Sequence, residues 1–249
     1  MNELKEIDER IKVINDIRPF EGVYLRQINQ FFKIETAYSS NAIEGNTHTL
    51  EETKVILEDG ITIGGRPLKE FHEIEGYGKA YDYMFSLIKQ REITQKDILR
   101  CHNLFSANIP NFIGSGEYRN IEVIISASAK KLPKAKDVPA EMEKYAQWLD
   151  KNRNALHPVM FAAEAHRRLV NIHPFTDGNG RVSRLVMNTF LYQDKLFPVS
   201  IPLIKRSDYY RVLEKNDPEE FGNFIAKIEL QTIKDLMRHL HLEFAGAKS

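Results

Sequence analysis

Two stretches of helical periodicity meet at a run of residues that cannot continue either helix. Across residues 158–172, Met160, Phe161, Ala163, Leu169 and Val170 recur at roughly helical spacing; across 181–195, Leu185, Met187, Phe190 and Leu191 do the same. Between them stands His173-Pro174-Phe175-Thr176-Asp177-Gly178-Asn179-Gly180, and the second stretch opens on Arg181-Val182-Ser183-Arg184. The chain must therefore turn tightly and start a new helix at the glycines. A Gly-Asn-Gly turn at a helix N-terminus points several backbone N–H groups at one spot, where the helix dipole also favours negative charge, which makes a phosphate site. Arg181 and Arg184 are three apart, on one helix face, and two cations in a first turn oppose the dipole unless an anion sits there. His173 has the ordinary pKa range of a general base at neutral pH. Asp177 supplies a carboxylate beside the anion, sufficient for Mg2+, which binds through one or two carboxylates plus substrate phosphates. Phe175 alternates with these polar groups and is expected to point into the core. A calcium loop is excluded, because its fifth and twelfth positions would be Arg181 and Asn188. These groups suit a nucleoside triphosphate and an activated nucleophile; the residues alone leave open which phosphorus is attacked.

The remainder reads as helices. Leu4, Ile7, Ile11 and Ile14 mark a first one, broken near Pro19. A second covers about 24–43, with Ile28, Phe31, Phe32, Ile34 and Ala37 inward and Gly45 as its stop. Further helices are expected over 49–57, 69–89 after Pro67, from a Thr94/Asp97 capping box through Ile98, Leu99 and Leu104, and over 139–151, 207–215 and 219–242. The exception is Ile121-Glu122-Val123-Ile124-Ile125-Ser126-Ala127-Ser128, β-branched and followed by a Lys/Pro-rich stretch, which predicts a β-hairpin.

With 249 residues and 42% apolar content the chain can bury a substantial core. Lys plus Arg and Asp plus Glu balance at 35 each, which argues against nucleic acid or an anionic membrane as the partner. Cys101 stands alone and reads as a small buried apolar residue, so no intrachain disulfide is expected. No secretory signal or membrane-length apolar run is present, and a cytoplasmic protein is expected.

The run from His173 to Arg184 resembles the Fic-domain motif, His-x-Phe-x-Asp/Glu-Gly-Asn-Gly-Arg-x-x-Arg, with every specified position filled. The resemblance implies a mainly α fold: a Fic-type helical core over 93–249 carrying one β-hairpin flap, preceded by an N-terminal helical extension over 1–92. It implies attack at the α-phosphorus of ATP, with His173 taking the proton of a Ser, Thr or Tyr hydroxyl on a target protein, AMP transferred, and magnesium pyrophosphate leaving. Asp177 would hold Mg2+; Gly178, Asn179, Gly180, Arg181 and Arg184 would bind the nucleotide. The related kinase-like branch carries Lys at the position of Gly180, so the glycine favours adenylyl transfer. Gly116-Glu117-Tyr118-Arg119 resembles the run that precedes the family's flap, which aligns a target peptide by strand addition. Ile125, Ser126, Ala127 and Ser128 would then lie over nucleotide and target. Tyr209 and Tyr210 sit where relatives place aromatic contacts to the nucleotide. The Asn expected after them is Asp217 here, with Asn216 one residue earlier, which leaves the adenine-side contact and base preference open.

Ser40-Asn41-Ala42-Ile43-Glu44-Gly45 resembles the Fic inhibitory motif, Ser/Thr-x-x-x-Glu-Gly/Asn. Ser40 and Glu44 are four apart on one helix face, and Glu44 lies in a last turn where the dipole disfavours an anion. The resemblance names Arg184 as its partner and places the chain in the subclass whose inhibitory helix is N-terminal and acts in cis. The expected function is a self-inhibited protein adenylyltransferase, with ATP, a hydroxyl-bearing protein, the chain itself and a homo-oligomer as its partners. Two alternatives remain: removal of AMP, with Glu44 positioning water, and a low-turnover nucleotide-sensing regulator.

Overall fold

Helix α8 (Asn179–Gln193) is the axis of the molecule: Arg181 through Leu191 are all buried, so it is enclosed on every face. Its partners come from both halves of the chain. The structure, a computed structural model, describes residues 2–17, 20, 22–90, 92–125 and 130–242. In order these form α1 (Asn2–Asn15), α2 (Gly22–Ile43), α3 (Leu50–Asp59), α4 (Leu68–Ser86), α5 (Gln95–Ser106), α6 (Val138–Asn152), α7 (Pro158–Ile172), α8, α9 (Arg206–Lys215) and α10 (Pro218–His239). Helix α7 lies along α8; α4 pairs with α5, α10 with α7, and α1 with α10, while α2 reaches α3, α4 and α8. One apolar core runs from Ile7 and Ile14 through Phe32, Tyr77, Phe105 and Phe161 to Ile225 and Met237.

Local chemistry explains the boundaries. Thr94 accepts from the Asp97 N–H and Asp97 reaches back to Thr94, the capping box expected for α5; Thr49 and Glu52 do the same at α3. Pro158 and Pro218 stand at first-turn positions of α7 and α10. Gly45, expected to stop α2, has φ of 101°. No helix among the described residues is long and apolar enough to cross a membrane.

Two expectations need correction. The hairpin does not form among the described residues, where no strand occurs; 121–125 and 130–134 run as unpaired chain, and Ile124 is 93% exposed. An isolated two-stranded ribbon has no sheet to support it, so β-branched composition here gives extended chain without ladder pairing. Phe31, expected inward, is 53% exposed: it neighbours Phe32 on the helix, and the core side of α2 takes Phe32 while Phe31 faces outward.

Candidate functional site

The turn between α7 and α8 is built from within. His173 ends α7 in the left-handed conformation, φ 53°, its N–H donating to Leu169 O at 3.1 Å. Gly178, at φ 81°, opens α8. Asn179 braces the loop between them: Oδ1 accepts from Phe175 N–H and Nδ2 donates to Phe175 O, each at 2.9 Å. Its side chain therefore faces the loop's own backbone, leaving its N–H as the group available to an anion. Phe175 is buried, as expected, and stacks on His102 with ring centroids 3.7 Å apart. Neutral His102 ties two elements together: Nε2–H donates to Asp177 O at 3.1 Å, and Nδ1 accepts from Gly116 N–H at 2.9 Å. Burial pushes its pKa down to about 4, so this tautomer holds across the neutral range.

His173 donates from Nδ1 to Val170 O at 3.3 Å, which leaves the lone pair on Nε2. Burial holds its pKa below 6.5, against the opposing pull of the Val170 bond and of Glu44 and Asp177; it is neutral at pH 7. Asp177 accepts from Gly178 N–H at 2.6 Å and from Arg181 at 3.1 Å. Burial would raise its carboxyl, but Arg181 and the Gly178 bond hold it below the usual carboxylate range, so it is ionised. Its Oδ2 has no hydrogen-bond partner among the described residues. Among the described residues no group of three or more His, Cys, Asp or Glu could hold a metal ion. One half-exposed carboxylate beside an anion site fits Mg2+ brought in on phosphates, and does not fit a resident protein-ligated metal.

Both motif arginines are engaged by carboxylates. Arg181 lies between Asp177 and Glu73 of α4, 3.1 Å from each, with its guanidinium 4.4 Å from the Phe105 ring centre. Arg184, 3% exposed, donates from Nε to Ser40 Oγ at 2.8 Å, from NH2 to Ser40 O at 3.0 Å and Glu44 Oε1 at 2.7 Å, and from NH1 to Tyr209 OH at 3.0 Å. Burial would raise the Glu44 carboxyl; Arg184 and Arg181 outweigh it and keep it ionised. A Cβ on Gly180 would come 2.3 Å from Glu44 Oε1, so the carboxylate lies directly over the first turn of α8. Ser40 and Glu44 thus meet the second motif arginine, as the resemblance to the inhibitory motif implied.

The two tyrosines separate. Tyr209 is 1% exposed, behind Arg184, with its OH shared between that guanidinium and His166 Nε2, both at 3.0 Å. Tyr210, 39% exposed, is 3.4 Å from Glu44 Oε2. Asp217 caps α10 through the Glu219 and Glu220 N–H groups, and Asn216, in the left-handed conformation, accepts from Arg167 and Asn171. Ile125 is half-buried; Ser126, Ala127 and Ser128 lie outside the described residues. Sequence reasoning missed Glu73, His102, Arg119 and Arg206, whose Nε donates to the α2 terminal carbonyl of Ile43 at 2.7 Å. The Gly-Glu-Tyr-Arg run was the signal available for Arg119.

Residues 92–191 match the Fic/DOC family model. The chain is 37% identical over 235 residues to the protein adenylyltransferase Fic of Drosophila grimshawi, covering 92% of this chain and 48% of that protein; it therefore spans about half the relative's length. Among solved structures, Fic-1 (residues 134–508) of C. elegans superposes with a TM-score of 0.83 at 28% identity, covering 95% of this chain and 71% of that one. A Fic-domain signaling protein of Bacteroides thetaiotaomicron shares the fold, with a TM-score of 0.85 at 23% identity over 97% of this chain and 98% of the other. With the complete motif laid on the α7–α8 turn and lying inside the matched stretch, residues 92–191 form a Fic/DOC-family domain.

Proposed function

We propose that this chain is a protein adenylyltransferase restrained in cis by Glu44. The observation that carries the reading is the seat of the Glu44 carboxylate: over Gly180, at the N-terminus of α8 and paired with Arg184, it holds the position a phosphate would take. A site that binds its own carboxylate there is built for anions. The relatives' name, protein adenylyltransferase, supports the same chemistry.

The steps follow from the residues. With Glu44 swung aside, Arg184 and the first N–H groups of α8 hold the triphosphate of ATP. Asp177 would hold Mg2+, which would supply charge neutralisation for the leaving pyrophosphate. His173 Nε2 takes the proton from a Ser, Thr or Tyr hydroxyl of the target. The hydroxyl oxygen bonds to the α-phosphorus as the bond from that phosphorus to the pyrophosphate oxygen breaks. His173 then releases its proton to solvent. Buried Tyr209 serves this site by orienting Arg184, and exposed Tyr210 is the aromatic left to face the nucleotide.

Labelled ATP tests the reading. Wild-type protein is expected to label itself weakly and Glu44→Gly strongly, with no labelling when the label is on the γ-phosphate. Loss of AMP from prelabelled protein, dependent on Glu44, would instead favour AMP removal; tight binding without turnover in either protein would favour a nucleotide sensor.

A further inference from the structure

Behind the proposed base lies another buried guanidinium. Arg119 is 3% exposed and bonds in four directions. Its backbone N–H donates to Pro174 O at 2.8 Å and its Nε to His173 O at 2.7 Å. The other two nitrogens reach the chain on either side of 126–129: NH1 donates to Ile121 O at 3.2 Å and NH2 to Pro133 O at 2.6 Å. Glu122, 3.7 Å from Arg119, also accepts from Ala135 N–H at 3.1 Å, so the two limbs are joined a second time. His173 sits at φ 53°, an uncommon conformation for a side chain with a Cβ, and its carbonyl lies past the end of α7, where no helical N–H can reach it. Arg119 supplies that donor.

We propose that Arg119 is a positioning residue: one planar guanidinium fixes the His173 backbone and the limbs 121–125 and 130–134 together, so that the base and the surface receiving the target keep a single register. The proposal rests on the adenylyl-transfer reading. Only arginine fits the role, because its donors point outward in one plane and serve three carbonyls at once. A lysine ammonium at the end of its stem reaches one region at a time. Arg119 touches neither Arg184 nor the N-terminus of α8, so its loss should leave nucleotide affinity alone. Its effect belongs on the chemical step, where displacement of a reacting group by about 1 Å costs on the order of a hundredfold in rate.

The test uses the full chain carrying Glu44→Gly as the parent, with Arg119→Lys and Arg119→Met added. Three quantities are read: the maximal rate of self-labelling from labelled ATP, the ATP concentration for half-maximal rate, and amide exchange at 121–125 and His173. Arg119→Met should lose on the order of a hundredfold in maximal rate, with Arg119→Lys between it and the parent. Half-saturation by ATP should stay within about twofold, and amide exchange should quicken at both places with or without nucleotide. Should Arg119→Met melt below the assay temperature, Arg119→Lys carries the test. Folded variants that label at the parent's rate overturn the proposal, as do a half-saturation that moves in step with the rate or exchange that does not change. A parent that never labels refutes adenylyl transfer instead, and the exchange measurement then still decides whether Arg119 couples the limbs to His173.

Discussion

Replacing Glu44 with glycine removes one carboxylate and little else. Glu44 follows the last residue of α2, and the turn beyond it is closed by backbone bonds alone, from Glu44 N–H to Asn41 O and from Gly45 N–H to Ala42 O, each 3.0 Å. What is lost is the 2.7 Å contact with Arg184, between a side chain 28% exposed and one 3% exposed, and a longer 3.4 Å bond accepted from Tyr210 OH. A hydrogen bond to a charged group of this kind contributes about 1.5–3 kcal/mol, so the competent population should rise roughly tenfold to a hundredfold. Arg184 keeps Ser40 Oγ, Ser40 O and Tyr209 OH, so the freed guanidinium stays aimed. The ion pair is fully charged at assay pH: Arg184 and Arg181 overcome burial to lower the Glu44 pKa below its ordinary 4.5, so the pairing is fully present above that value and is lost as pH falls through the lower folded value. Incorporation of labelled AMP, measured beside matched thermal melts, is the assay. Arg184→Ala in the Glu44→Gly background should erase most of the gain. Equal labelling by folded wild type and Glu44→Gly would refute the reasoning even if His173 proved essential.

In the Glu44→Gly background, His173→Ala should abolish transfer while ATP still binds by calorimetry; loss of binding as well would make His173 structural. In the same background the acid limb of the rate profile should lie below pH 6.5, because burial lowers the His173 pKa and removing Glu44 takes away a charge that raises it. Asp177→Ala should lose magnesium-dependent labelling at every ATP concentration, and unchanged dependence on magnesium would take Asp177 out of the metal site. Gly180→Ala should displace Glu44, whose Oε1 would be 2.3 Å from the new methyl, yet label no better than wild type, because that methyl also narrows the approach of phosphate to α8; labelling equal to Glu44→Gly would place the phosphates elsewhere.

Features with a local cause could be read from the chain. The α7–α8 turn followed from apolar spacing and glycines, and the α5 cap from Thr94 and Asp97. The meeting of Ser40 and Glu44 with Arg184 followed from their shared face plus the family resemblance. What escaped depends on packing between distant segments. Glu73 reaches Arg181 only because α4 lies against α8, and His102 meets Asp177 only because α5 packs against α8. Tyr209 and Tyr210 look equivalent in sequence, yet consecutive residues on a helix face different ways, so one is buried behind Arg184 and the other faces out. The β-branched run at Ile121 shows the opposite failure: its composition favours strands, but among the described residues no neighbour offers a ladder to join.

The way α2 is seated determines what kind of event can switch such a protein on. Ile28, Phe32, Ile34, Ala37, Ala42 and Ile43 are all sunk in the core. Exposing even a few of them by lifting the helix would cost about 1.5–3 kcal/mol per large side chain, several times the strength of the contact to be broken. The Glu44 carboxylate, by contrast, can leave Arg184 by rotating its own bonds toward solvent. Release on the proposed function is then a rotamer equilibrium, crossed on the nanosecond scale and repeatedly sampled at rest. An activating signal need only bias how often that carboxylate is away, and on the proposed function the basal leak and the maximal response would report the same two populations.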